Sequence, residues 1–401
     1  MKTPSPHSLR SPWRWLAATL VCASLAVSCG GGVDTGGTGA QSFSAGRIAG
    51  FGSIIVNGVR FDDSTPGIVV DDDGVTHDRA DLKLGMQTQV QAGPLSTDAA
   101  GTTIAKATKI EFGSQVRGPV QAVDAAGATL VVLGQSIKVD VATLFDGFTG
   151  GMGSVAVGNA VEVYAFFDRT TATYTATRIE LKSSLADYKV VGVVSALNTS
   201  AKTFSIGSAT IGYAGVPAAQ LPALANGVVV RVRLQKAQQG TTWIAKRLEL
   251  NAPAVPEGAQ TEVEGFITDF DGTGRFKIGG VAVDASAPGV VFKNGSAVEL
   301  ANGVRVEVEG ITAAGILTAV RIDVKRSEGG DQQFELHGEI ESVNQSTRSF
   351  VLRGTTVTYV DRKAFDNGTE ADLVKNAKVE VKGVLSITGN QLVATRIKFE
   401  H

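Results

Sequence analysis

Apolar and polar residues alternate in short runs along most of the chain, and glycine or an Asn/Gly pair closes many of them. Residues 336–340 (LHGEI), 350–352 (FVL), 357–360 (VTYV) and 379–381 (VEV) form one such series, with turn-like residues 344–347 (NQST), Gly354 and Asn367-Gly368 between them. Alternation with period two puts one set of side chains on a core face and the other in solvent, so each run predicts a half-buried β-strand. The same series recurs upstream. Residues 263–267 (VEGFI), 276–278 (FKI), 281–284 (VAVD) and 306–308 (VEV) repeat it. So do 130–133, 137–140 and 161–163, and then 204–207 and 230–232.

Each series ends in one six-residue pattern: Ala, any residue, Lys or Arg, Ile or Leu, any residue, apolar. The copies are 107–112 (ATKIEF), 176–181 (ATRIEL), 245–250 (AKRLEL), 319–324 (AVRIDV) and 394–399 (ATRIKF). Their alanines stand 69, 69, 74 and 75 residues apart. A fixed period of that length is the mark of one small module copied in tandem. The modules are read as 46–115, 116–187, 188–254, 255–330 and 331–401. Three strands, an irregular link and two strands is the order of the OB-fold. The fold class expected is all-β, five tandem small OB-like β-barrel modules; a β-sandwich of similar strand count has the same order. In the closing strand, parity puts Ile110, Ile179, Leu248, Ile322 and Ile397 on the core face. Lys109, Arg178, Arg247, Arg321 and Arg396 then share the outer face with the motif alanines. There they are expected to pair with Glu162, Glu307 or Glu380 on the strand before.

The Gly-x-(Ile/Val) start, the Val-Asp after the third strand, the Val-x-Val-x-Gly strand and the closing Ala-x-Arg-Ile together resemble a bacterial family. It is catalogued as a domain of unknown function, number five-six-six-six. The first module is the most divergent, with Gly50-Phe-Gly52 where the others alternate. The resemblance implies an exported, often lipidated, often tandem protein. It brings no activity and no catalytic residues.

The N-terminus supplies an address. Lys2, Arg10 and Arg14 precede a short apolar run at 16–27, which reads as a secretory signal over 1–28. The run ends in LAVSC (25–29), similar to the lipobox of lipoproteins, which makes Cys29 the lipidation site. Gly30 after it implies the outer membrane. Residues 29–45, rich in glycine, read as a flexible tether. Cys22 and Cys29 are the only cysteines, so no disulfide is available to the modules. At about 70 residues, each barrel is near the lower limit for folding alone.

The bulk composition is that of a globular protein, 43% apolar and 19% charged, but the charge is uneven. Module three carries Lys189, Lys202, Arg231, Arg233, Lys236, Lys246 and Arg247 against Glu249 alone, +6, while the other modules are acidic. Arg231, Arg233, Lys236, Lys246 and Arg247 beside Trp243 form a candidate site for an anionic glycan or lipid head group. Acidic modules two and four are the alternative cover for that surface. The run Asp71-Asp-Asp-Gly74, with Asp62 and Asp63 upstream, offers Asp71 and Asp73 as a weak cation site, but it lacks the distant Glu of a calcium loop and reads first as a turn. Glu262/Glu264 and Glu307/Glu309 are acids on strands, expected on the solvent side. His77 in module one, and His337 and His401 in module five, have no partner motif. No nucleophile elbow, phosphate loop or zinc spacing appears.

The sequence therefore predicts a lipid-anchored envelope protein acting as a non-catalytic scaffold or binding array. It is expected not to be an enzyme, to need no cofactor and to bind no nucleic acid. Its partners would be a membrane, an anionic glycan or lipid head group, or another envelope protein. The competing reading is an enzyme on envelope polymers with its site between modules.

Overall fold

The computed structural model describes residues 40–64, 68–326, 333–360, 364–386 and 388–400. The signal, Cys29 and the tether up to residue 39 lie outside them, as does His401.

Module two shows the plan. Its opening strand, Val116–Asp124, pairs antiparallel with Thr129–Val132, which turns back into Gln135–Lys138. That third strand runs parallel to the start of the closing strand, Thr173–Leu181. The closing strand hairpins with the return strand, Ala160–Asp168, and the return strand pairs with the opening one, completing a ring. The same ring closes in module one, module three, module four and module five. This is the strand order of an OB-like barrel. In four modules the link between third and return strands also contributes a short strand parallel to the end of the closing one.

The closing motif is a bulge, which corrects the simple parity. Ala107, Ala176, Ala245, Ala319 and Ala394 each oppose a residue of the return strand, the next residue opposes none, and pairing resumes at the basic residue. One extra residue flips the face. The alanine and the Ile or Leu are therefore both buried, all at 8% exposure or less. Gly310 and Gly383 oppose Ala319 and Ala394, where an added Cβ would run into the Thr318 or Val393 carbonyl. Hence the glycine after Val-x-Val in those modules. The bulge also sets the basic residues opposite Gln91, Tyr164, Arg233, Glu309 and Lys382, not opposite the glutamates expected. Arg247, Arg321 and Arg396 are exposed, but Arg178 is buried.

The barrels are not separate beads. The opening strand of module one, Ser42–Phe51, starts inside the segment read as tether. Its residues 42–45 pair in parallel with 260–263 of module four, and Gly50 and Phe51 pair with Glu335 and Leu336 of module five. At Gly50 a Cβ would stand 2.5 Å from the Glu335 carbonyl oxygen, which accounts for the divergent Gly50-Phe-Gly52. Modules two and three join through Val116 and Arg117 against Val190 and Lys189. Arg178 leaves its barrel to donate to the Leu84 carbonyl (3.1 Å), beside a Thr177 hydroxyl on the Gly85 carbonyl (2.6 Å), both in module one. Accordingly, modules one and five share one apolar core, modules two and three share another, and module four has a third that takes in Phe43. Sharing enlarges cores that would be marginal alone.

Candidate functional site

Chemistry concentrates where barrels meet. On module three the opening strand carries Lys189 and the return strand Arg231 and Arg233, with Lys189 directly opposite Arg233. Like charges at that spacing repel. The turn of module one answers them. Asp72 accepts from the Lys189 ammonium at 2.8 and 3.1 Å, and Asp73 accepts from Arg233 Nε at 3.0 Å. Asp187 stands 3.4 Å from Arg233, and Arg231 holds Glu249 at 2.8 Å. Lys189 is 1% exposed. Burial pulls its pKa down, and the Asp72 charge opposes that shift.

Two readings of the sequence are corrected here. Asp71 and Asp73 are not a cation loop. Asp71 Oδ1 accepts from the Asp73 and Val75 amides and its Oδ2 faces His77 at 3.2 Å, while Asp73 is spent on Arg233. The basic candidates also do not form one surface. Arg231 and Arg233 are turned into the junction, and Trp243 is buried edge-on against Tyr188 at 5.6 Å. Lys236 is exposed, and the side chains of Lys246 and Arg247 are about half exposed. The acidic cover comes from modules one and two, not from two and four. No sequence pattern marks which turn of one module docks on which face of another.

On module four the corresponding face is acidic. Glu262 opposes Glu309 and Glu264 opposes Glu307. These acids were expected in solvent, yet Glu262 is buried, because module one's opening strand lies along this edge. Burial first, and then the Glu307 and Glu309 charges, push the Glu262 carboxyl well above the usual range. Burial also raises Glu307, against the pull of Lys325, and the two carboxyls share a hydrogen bond. Burial works on Glu264 too, but Arg305, Arg47 and Lys325 outweigh it and its pKa is lowered. A cavity of about 230 Å³ opens where modules one, four and five meet, with Arg47, Glu264, Arg305, Glu307, Lys325 and Glu335 in its wall.

On module five, Glu335, His337 and Glu380 bring three ligand atoms within 4.8 Å of one another. Cations already serve that cluster. Arg60 of module one contacts both Glu335 and His337, and Lys382 lies 3.4 Å from Glu335 and 3.7 Å from Glu380. Burial opposes ionisation of Glu335. The His337 hydrogen bond and the Arg60 and Lys382 charges nevertheless bring it down to about 2. The cluster therefore keys module one to module five, and His337 is a partnered residue.

A second cavity, about 200 Å³, lies where modules one to four converge. Its wall mixes phenylalanine rings with amides and paired charges.

The sequence model of the family described as Domain of unknown function (DUF5666) matches residues 117–180, 264–323 and 337–398. The three matches fall on modules two, four and five, as expected of a tandem-repeat, DUF5666-like chain. Modules one and three build the same ring of strands around them. No curated protein matches the chain. Among solved structures, "drosophila Unr CSD456" aligns at 13% identity over 54% of this chain and 98% of that one, with a TM-score of 0.14, too low to bear on fold or function.

Proposed function

We propose that this chain is a non-catalytic binding scaffold of a bacterial cell envelope, held at the outer membrane by lipid on Cys29. The observation that carries the scaffold reading is the pairing of one strand of module one with strands of both module four and module five. Backbone pairing fixes module one to modules four and five, and module two to module three, which suits presenting surfaces to a partner. The signal-like start and Cys29 carry the address. Palmitate labelling and fractionation test it: the wild-type chain labels and sediments with membranes, and the Cys29→Ala variant does neither. Unchanged labelling in that variant refutes the anchor.

The cavity walled by Glu264, Glu307 and Glu335 favours a second reading, an envelope-polymer hydrolase with its site between modules. Against it, Glu264 is tied to Arg305 at 2.6 Å and Glu307 to Lys325 at 3.1 Å. Release of reducing ends from envelope glycans, abolished by Glu307→Gln, would establish the hydrolase in place of the scaffold.

A further inference from the structure

The cavity at the meeting of modules one to four has a wall that selects for chemistry. Its charged groups are already matched: Asp72 with Lys189, Glu111 with Lys109 at 2.6 Å, Arg169 with Asp269 at 3.6 Å, Arg231 with Glu249, and Glu264 with Arg305. An ionic ligand would have to break one of these pairs. The amides of Gln87 and Gln115 are also engaged, with the Thr177 hydroxyl and the Ala165 amide. Gln89 and Asn251 differ. Both are half-buried in the wall, and among the described residues neither side-chain amide has a hydrogen-bond partner.

The rings show a similar asymmetry. Phe112 meets His77 edge-on, Phe167 packs on Tyr174, and the Arg305 guanidinium covers Phe166 at 4.3 Å. Phe266 is half-buried and has no such partner among the described residues. The space equals roughly seven waters at liquid volume, which is the scale of one six-membered ring with its substituents.

We infer that this cavity binds a neutral, hydroxyl-bearing ring with one apolar face, a single pyranose unit of a glycan. The apolar face stacks on Phe266, and its hydroxyls bond to the amides of Gln89 and Asn251. Each amide offers both a donor and an acceptor, and a hydroxyl can use both, whereas a carboxylate uses only the donor and an ammonium only the acceptor. This rests on the binding-scaffold reading and names the ligand class for it.

The test titrates the full chain in detergent with methyl glycosides of glucose, galactose and N-acetylglucosamine, with glucuronate as the charged control, followed by ligand-observed NMR. At least one methyl glycoside binds in the millimolar range, at an affinity unchanged between low and high salt, and glucuronate binds more weakly. Phe266→Leu keeps the apolar volume and the melting curve but weakens binding about tenfold, the scale of a stacking contact. Gln89→Ala and Asn251→Ala each weaken it about three- to tenfold. Binding by no methyl glycoside, preference for glucuronate, or affinity indifferent to all three variants overturns the inference. None of these outcomes touches the palmitate result, so the anchor and the ligand fail separately.

Discussion

Modules three and four present the same patch of the same barrel with opposite charge. Lys189, Arg231 and Arg233 on module three occupy the positions of Glu262, Glu307 and Glu309 on module four, as the registers show. Both patches would repel themselves if left alone. Module three solves this with anions brought from elsewhere, chiefly Asp72 and Asp73 of module one. Module four supplies most of its own cations: Arg321, Lys325 and Arg305 serve Glu309, Glu307 and Glu264, while burial under module one's strand pushes the Glu262 carboxyl well above the usual range. One patch is an interface that needs its neighbour. The other is matched mainly by cations of its own module and depends on pH.

The sharpest way to break the comparison is to remove the borrowed anion. Asp72→Ala leaves Lys189 buried beside Arg233 with no carboxylate in contact with its ammonium. Stranding a buried charge costs about 3–5 kcal/mol. The denaturant midpoint should fall accordingly, and Lys189→Met in the Asp72→Ala background should recover part of the loss. An unchanged midpoint would mean that the module one–three junction carries no stability.

Beneath the patches the two barrels should behave alike. Leu248 and Ile322 are the same closing-strand position, exposed 1% and 0%. Leu248→Ala and Ile322→Ala should each cost about 2–5 kcal/mol in thermal or chemical melts. A marked difference between them would place part of the contrast in the cores.

These core positions were legible in the sequence because the closing motif repeats and strand parity is local. The motif alanines were not. Ala176 and Ile179 share a face only because Thr177 is an extra, unopposed residue, and nothing in the motif marks it as one. The strand order of the barrel could be read from turn spacing, but the docking of one barrel on another could not. Asp72 looks like any acid in an Asp-Gly turn until Lys189 of another module stands beside it. Lys189 in turn looks like any basic strand residue. Glu262 and Glu264 alternate with valine as solvent-facing residues do; the covering strand of module one is what buries Glu262.

pH separates the two patches further. A carboxyl whose folded pKa is raised takes up a proton on folding. Its contribution is present below its ordinary value of 4.5 and is lost as pH rises towards the folded value. Glu262→Gln supplies the neutral form permanently, so it should stabilise the chain near neutral pH, and the gain should vanish below the ordinary range. Glu335 provides the opposite sign. Its folded pKa is about 2 against 4.5, so its contribution is full above 4.5 and fades as pH falls towards 2. Glu335→Gln should flatten the acid limb of the stability profile and leave the neutral limb, with its Glu262 slope, unchanged. A Glu262→Gln variant destabilised at neutral pH would show that the carboxyl is ionised there.

The smallest effect belongs to the part of module three that no neighbour covers. Lys236, Lys246 and Arg247 lie outside the junction. Arg247 is 52% exposed beside Glu249, and Lys246 is 49% exposed at 3.6 Å from Asp187. Pairs at such exposure are worth about 0–1 kcal/mol, so the triple change to alanine should barely move the melting curve. What it should move is retention on an anionic support. Any long-range attraction of this module for a polyanion now rests on these three groups and the exposed Lys202, because Arg231 and Arg233 are matched within the fold. Heparin retention of the wild-type chain should be modest, should fall with added salt as exposed charges are screened, and should fall further in the triple variant. Arg231→Glu and Arg233→Glu would give an ambiguous result, since they set like charges against Glu249 and Asp73 and loosen the junction itself. If the triple variant elutes with the wild type while both stay folded, these three exposed groups carry no polyanion affinity, and the surplus charge of module three's patch is spent within the fold.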